Sequence, residues 1–150
     1  MRVLTAILAT ILITGCTTMA VVPVAKESMT SVCIVRNSDV NVDDFVSVVQ
    51  KRFAYHGIQT RLFDGAPPTG TCPYTLEYTA DRWWDLAPYM VDATLMIKKG
   101  NEVVASGHYH LRGHGGLSMA KWEGTEAKLN PVIDDMLSAY PAISTATAAH

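Results

Sequence analysis

Apolar and polar residues alternate along three segments in the middle of the chain. This period of two places successive side chains on opposite faces of a strand, so each segment predicts a half-buried β-strand. Two shorter runs rich in β-branched residues, 32–35 and 58–63, predict two more strands. The three alternating apolar rows are Tyr74, Leu76, Tyr78 and Ala80; Val91, Ala93, Leu95 and Ile97; and Val103, Ala105, Gly107, Tyr109 and Leu111.

Two other segments carry apolar residues at helical spacing. The first lies between Asn41, a predicted N-cap, and Gly57, a predicted C-cap, and the second follows Thr125, with Pro131 expected to delay or kink its start. Together the elements predict an α+β two-layer sandwich over residues 31–139, in the order β-α-β-β-β-β-α. Both helices should cover one face of a mostly antiparallel sheet. The helical stripes are Val42, Phe45, Val46, Val49 and Phe53, and Leu129, Val132, Ile133, Met136 and Leu137.

The hairpin at Gly100-Asn101 determines which residues lie opposite each other in the last two strands. A two-residue turn mixes the apolar and polar rows, so we expect a three-residue turn that keeps them apart. His108 and His110 then point away from the helices. The expected pairs are Ile97 with Val103, Leu95 with Ala105, Lys98 with Glu102, and Asp92 with His108.

The amino terminus has the pattern of a secretory signal. Met1-Arg2 precedes an apolar run of 11 residues, 3–13, which is too short to cross about 30 Å of hydrocarbon as a helix. The run ends in Leu12-Ile13-Thr14-Gly15-Cys16, which resembles the lipobox of bacterial lipoproteins. The resemblance implies removal of residues 1–15, acylation of Cys16 and anchoring in a lipid bilayer.

The residues around the predicted domain suggest its location. In lipoproteins an Asp after the acylated cysteine favours the inner membrane. Thr17 stands there, so the resemblance implies the outer membrane, with the domain facing the periplasm. We interpret residues 16–30 as a flexible tether and residues 140–150, rich in Ala and Thr, as a disordered tail. The order of elements resembles small lipoprotein domains of the envelope, including the lipoprotein that plugs the lipopolysaccharide-export barrel; it implies no site residue.

With Cys16 acylated, Cys33 and Cys72 remain as a pair. In an oxidising compartment such a pair predicts a structural disulfide. The alternative, a redox pair, is disfavoured because reactive cysteines are commonly close together in the sequence.

Charge and motifs exclude two kinds of partner. The formal charge is -2, and no block of like charge occurs, which argues against nucleic-acid binding. The glycine-rich run at 113–116 lacks the Lys-Ser/Thr of a phosphate loop, which argues against nucleotide binding.

His108, His110 and Asp92 are the candidate metal ligands, for zinc or copper. The alternative, a solvated polar face, is the one we favour, so we expect no metal and no cofactor. Ser106 lies on the same predicted face, but a hydrolase needs a nucleophile turn and an oxyanion hole, and neither is visible. We therefore expect no enzymatic activity.

Arg82, Trp83 and Trp84 form a candidate interaction patch in the connection between two strands. The patch either caps the end of the core or recognises a protein, a glycan or lipid headgroups. The sequence predicts a membrane-anchored periplasmic lipoprotein that acts as a binding or envelope-assembly accessory. Its partners would be the bilayer and a second envelope protein. The alternative is a metal-binding or hydrolytic protein that uses the histidine face.

Overall fold

The computed structural model describes residues 17–25 and 29–143. The predicted signal peptide, Cys16 and residues 144–150 lie outside this part. The described chain forms one six-stranded mixed sheet with two helices packed on it, which confirms the predicted α+β class. The elements are β1 (Thr17–Val22), β2 (Ser31–Val35), α1 (Phe45–Tyr55), β3 (Gln59–Phe63), β4 (Tyr74–Trp84), β5 (Pro88–Lys99), β6 (Glu102–Leu111) and α2 (Thr125–Met136), with two short 3₁₀ turns, Arg112–Gly115 and Met119–Trp122, between β6 and α2.

The strands lie in the order β1-β6-β5-β4-β2-β3. β2 is parallel to both β3 and β4, whereas the remaining pairs are antiparallel. The β2-α1-β3 unit follows the predicted β-α-β pattern, because the helix carries the chain back to the start of a parallel strand. None of the described helices is both long and apolar enough to cross a bilayer.

The core lies between the sheet and the helices. The apolar rows of β4, β5 and β6 meet the helical stripes there, and this face of the sheet is closed to solvent. Helix α1 begins at Phe45, four residues after the predicted cap Asn41, and ends in a Schellman motif in which Ile58 donates to the Phe53 carbonyl. Gly57 adopts the left-handed φ of 74° that this ending requires. The largest fully buried side chains are Phe45, Phe53, Met29, Ile34, Ile58, Leu76, Leu95, Ile97, Leu111, Leu129, Ile133 and Met136.

The segment predicted as a tether is folded where it is described, and this prediction was wrong. Residues 17–22 form the edge strand β1, which pairs with β6 from Thr17 opposite Leu111 to Val22 opposite Ser106. Val24 then donates to the Met136 carbonyl, and Met29 is buried. An edge strand pairs through its backbone, so its side chains need not alternate between apolar and polar, and the sequence pattern gave no signal.

The predicted register of the β5–β6 hairpin was also wrong. The turn has two residues, Gly100 and Asn101, and a bulge at Val104 then shifts the register by one. The bulge leaves Val103 on the open face, opposite Lys98 and away from the row to which it was assigned. The remaining pairs include Ile97 with Ala105, Leu95 with Gly107 and Asp92 with His110.

The carboxyl-terminal residues that follow α2 pack against α1. Tyr140 contacts His56 through its carbonyl, and Ile143 donates to the Tyr55 carbonyl. The folded unit therefore extends to residue 143, and the predicted disordered tail was wrong for residues 140–143. Cys33 on β2 and Cys72 in the connection before β4 form the predicted disulfide, with their Cα atoms 5.9 Å apart.

Candidate functional site

The sheet face away from the helices, here called the open face, carries the histidine pair. His108 and His110 lie two residues apart on β6, so their rings project from the same face, as predicted. Asp92 on β5 accepts from both rings through one oxygen, Oδ2, which lies 2.8 Å from His108 Nε2 and 2.9 Å from His110 Nδ1. Asp92 is the Cα partner of His110 and not, as predicted, of His108. The bulge at Val104, which shifts the register by one residue, therefore places one carboxylate against two imidazoles.

This cluster is accessible from solvent. The side chains of His108 and His110 are 43% and 47% exposed, and that of Asp92 is 26% exposed. The atoms with which the three residues could bind a metal ion all lie within 4.8 Å of one another. Ser106 lies on the same face, but His108 Nε2 and His110 Nδ1 are both directed to Asp92 Oδ2. The arrangement can bind a cation, but it offers no activated nucleophile.

A second titratable cluster, which the sequence did not predict, joins the two helices. Asp134 on α2 accepts from the Arg52 guanidinium and, at 2.9 Å, from His56 Nε2. Burial raises the pKa of Asp134, but the hydrogen bonds from Arg52 and His56 outweigh it and hold the pKa below its ordinary value. The partners are 78 and 82 residues apart in the chain, so no local motif indicates them. This cluster ties α1 to α2 and to Tyr140.

Lys128 is a buried cation that the helical pattern also missed. It is 2% exposed, and its ammonium donates to the carbonyls of Met90 and Lys121. Burial lowers the pKa of Lys128, and burial likewise raises the pKa of the neighbouring Tyr109 to about 12. Because both ammonium contacts are backbone oxygens, Lys128 fixes the start of α2 against β5 and the second 3₁₀ turn.

Trp83 and Trp84 lie at the end of β4, and both are exposed, at 51% and 70%. Of the two interpretations of this segment, a buried cap over the core does not fit such exposure. Arg82 donates to the Asn41 carbonyl and thereby holds the strand end beside the loop before α1. The end of β4, the start of β5 and this loop border an open groove of about 650 Å³. Arg82, Trp83 and Trp84 line it.

The glycine-rich segment after β6 lies against this aromatic end. Gly113 and His114 both have left-handed backbone angles, with φ of 55° and 52°. Among the described residues, His114 is the only non-glycine with positive φ, which is a strained conformation for it. Its ring stacks on Trp83, with 4.2 Å between the ring centroids.

Exposed apolar side chains are concentrated at this end of the sheet. Leu86 in the β4–β5 connection is 86% exposed, and the segment after β6 contributes further apolar side chains. The Lys121 ammonium donates to Asp85 Oδ2 at 2.6 Å and so joins the β4–β5 connection to the segment after β6. Thr17, the first described residue, pairs with Leu111, so β1 also begins at this end. We call this region the entry end; its exposed apolar residues are Trp83, Trp84, Leu86, Leu117 and Met119.

Comparison with solved structures identifies the fold. The chain is similar to the PelC dodecamer from Paraburkholderia phytofirmans, with a TM-score of 0.58, 14% identity, and coverage of 80% of this chain and 98% of that one. A second PelC dodecamer from the same organism, in which one leucine is replaced by methionine, gives a TM-score of 0.51 at 16% identity, covering 77% of this chain and 97% of that one. No protein-family profile and no curated protein matches the sequence. The similarity therefore establishes a PelC-like fold.

Proposed function

We propose that this chain is a lipid-anchored envelope protein without catalytic activity, which rests its entry end on the membrane and assembles with copies of itself. The observation that carries the proposal is the position of Thr17. This residue follows the lipobox cysteine directly and pairs with Leu111 at the end of the sheet where the exposed apolar side chains are concentrated.

The short distance between the anchor and the fold limits how the domain can lie. Consecutive Cα atoms are about 3.8 Å apart, so an acylated Cys16 would hold Thr17 at the lipid surface. Trp84 and Leu86 would then face the interfacial region, where aromatic and aliphatic side chains are favourable. A membrane surface thus accounts for apolar groups that are otherwise costly to leave in water.

The lipid anchor is tested by labelling cells with a fatty-acid analogue. We expect the wild-type chain to incorporate the label and the Cys16→Ser chain to lose both the label and membrane retention. Incorporation that survives the substitution would contradict the lipobox assignment.

Docking of the entry end is tested on phospholipid vesicles with the mature Cys16→Ser chain, so that no acyl chain contributes. We expect the added changes Trp84→Ser and Leu86→Ser to reduce vesicle partitioning by about ten-fold or more, because each buried large apolar side chain contributes about 1.5–3 kcal/mol. Val103→Ser is the matched control, because Val103 is an exposed apolar residue at the opposite end of β6. Equal partitioning of all three chains would exclude docking through this end.

Self-association is supported by the PelC-like fold, since the two PelC structures described above are dodecamers. The mature lipoprotein in mild detergent should give, by native mass spectrometry, a closed assembly of many chains. A monomer at every concentration tested would refute the assembly while leaving the membrane anchor unaffected.

A further inference from the structure

We propose that Asp92, His108 and His110 form a Zn²⁺ site on the open face of the sheet, next to the entry end but with none of its exposed apolar residues among the ligands. Two imidazoles and one carboxylate are a ligand set that zinc accepts. The three residues come from two adjacent strands and already converge on one point, because Asp92 Oδ2 lies within 2.9 Å of a ring nitrogen of each histidine.

The backbone already provides most of this geometry. His108 and His110 share one face because they are two residues apart on a strand, and β5 holds Asp92 opposite His110. The donor atoms lie within 4.8 Å of one another, and zinc bonds nitrogen and oxygen at about 2.0–2.2 Å. Small side-chain rotations, with the strands unmoved, would bring all three ligand atoms to a common ion.

The charge around the cluster favours a cation. Asp81 on β4 lies directly opposite Asp92, on its other side from β6. Facing carboxylates repel each other across a sheet, and a bound cation relieves that repulsion. The neighbouring Arg82 does not supply the balancing charge in this structure, because its guanidinium is directed to the Asn41 carbonyl.

The site has an open side. Both imidazoles are nearly half exposed, so an ion can enter from solvent without movement of the fold. Three protein ligands leave the fourth tetrahedral position for water.

The test uses the full-length mature lipoprotein in detergent, purified without a polyhistidine tag, treated with chelator and titrated with Zn²⁺ by calorimetry. The wild type should bind saturably with one ion per chain. His108→Ala with His110→Ala should weaken binding by more than about 100-fold, because even changes to residues that only orient ligands cost 10- to 100-fold. Asp92→Asn should weaken it less, and Asp81→Asn should weaken it least.

His114→Ala is the matched control, since it removes an imidazole at the entry end and should leave Zn²⁺ affinity unchanged. If the double alanine variant is not folded by circular dichroism, His108→Gln and His110→Gln replace it. As a second readout, Zn²⁺ should shift the imidazole resonances of only two of the five histidines. Absence of saturable binding in the wild type, or full affinity in the histidine variants, would overturn the site.

Discussion

The side chains on the two faces of the sheet are held in place by different interactions. On the face covered by the helices, Leu95, Ile97 and Tyr109 are closed off from water by α1 and α2. On the open face, Asp92, His108 and His110 are held by strand register and by their contacts with one another. The covered face therefore depends on close packing, whereas the open face can change its side chains without loss of the core. The predictions below test how far this difference holds.

The largest effect should come from the covered face. Phe53, on the inner side of α1, is fully buried in the core between α1 and the sheet, and Phe53→Ala should reduce the free energy of unfolding by about 3–5 kcal/mol through lost burial and a cavity. Denaturant titration measures the change. Val103→Ala on the open face should stay within about 0.5 kcal/mol, and similar losses for both would abolish the distinction.

The disulfide is the exception expected on the open face. Cys33→Ser with Cys72→Ser should cost about 3–4 kcal/mol, because the bridge closes a loop across a sequence separation of 39. The same denaturant titration, compared with the oxidised wild type, measures the loss, and the reduced wild type should show a similar loss. An unchanged midpoint would show that β2 and the connection between β3 and β4 hold together without the bridge.

Gly107 tests how closely α2 approaches the sheet. A Cβ there would lie 2.5 Å from Met136 Sδ and from Val132 Cγ1, so Gly107→Ala should destabilise by about 1–3 kcal/mol through overpacking. Ser106→Ala, on the next residue but the opposite face, is the control and should be near neutral. A neutral Gly107→Ala would mean that α2 moves freely relative to β6.

The cluster between the helices should make stability depend on pH. Because its pKa is lowered in the folded state, Asp134 stabilises the fold at pH values above the ordinary aspartate pKa of about 3.9, and this contribution disappears as the pH falls through the lowered value. Asp134→Asn should therefore be less stable at neutral pH, by about 1 kcal/mol for a partly exposed pair, and should approach the wild type in acid. Thermal unfolding at several pH values measures this, and a difference that persists in strong acid would contradict it.

The smallest effect is expected from the histidine pair without metal. His108→Ala with His110→Ala should change stability by no more than about 0.5 kcal/mol per site, since both rings are substantially exposed. Unfolding in the presence of chelator is the measurement. A loss above about 2 kcal/mol would indicate that the pair supports the fold.

The periodicity of apolar residues predicts which face of a strand or helix each side chain occupies. The apolar rows of β4 and β5, both helices and the open position of His108 and His110 were therefore correctly predicted. Features that depend on the backbone or on distant partners were missed. β1 pairs at an edge without an alternating pattern, and His56 meets Asp134 only after the helices have packed. The pairing of one carboxylate with two imidazoles depended on a bulge that alternation alone does not reveal.

Because of that bulge, the hairpin should tolerate changes in length at the turn but not at Val104. Val104 is the residue that restores the match between apolar rows after the tight turn at Gly100-Asn101. Deleting it would carry a one-residue offset along the rest of β6 and on into β1, which takes its alignment from β6. Extra residues inserted at the exposed turn would form a longer loop and leave both alignments intact. Natural length variation in this fold should therefore accumulate at the turn and spare position 104.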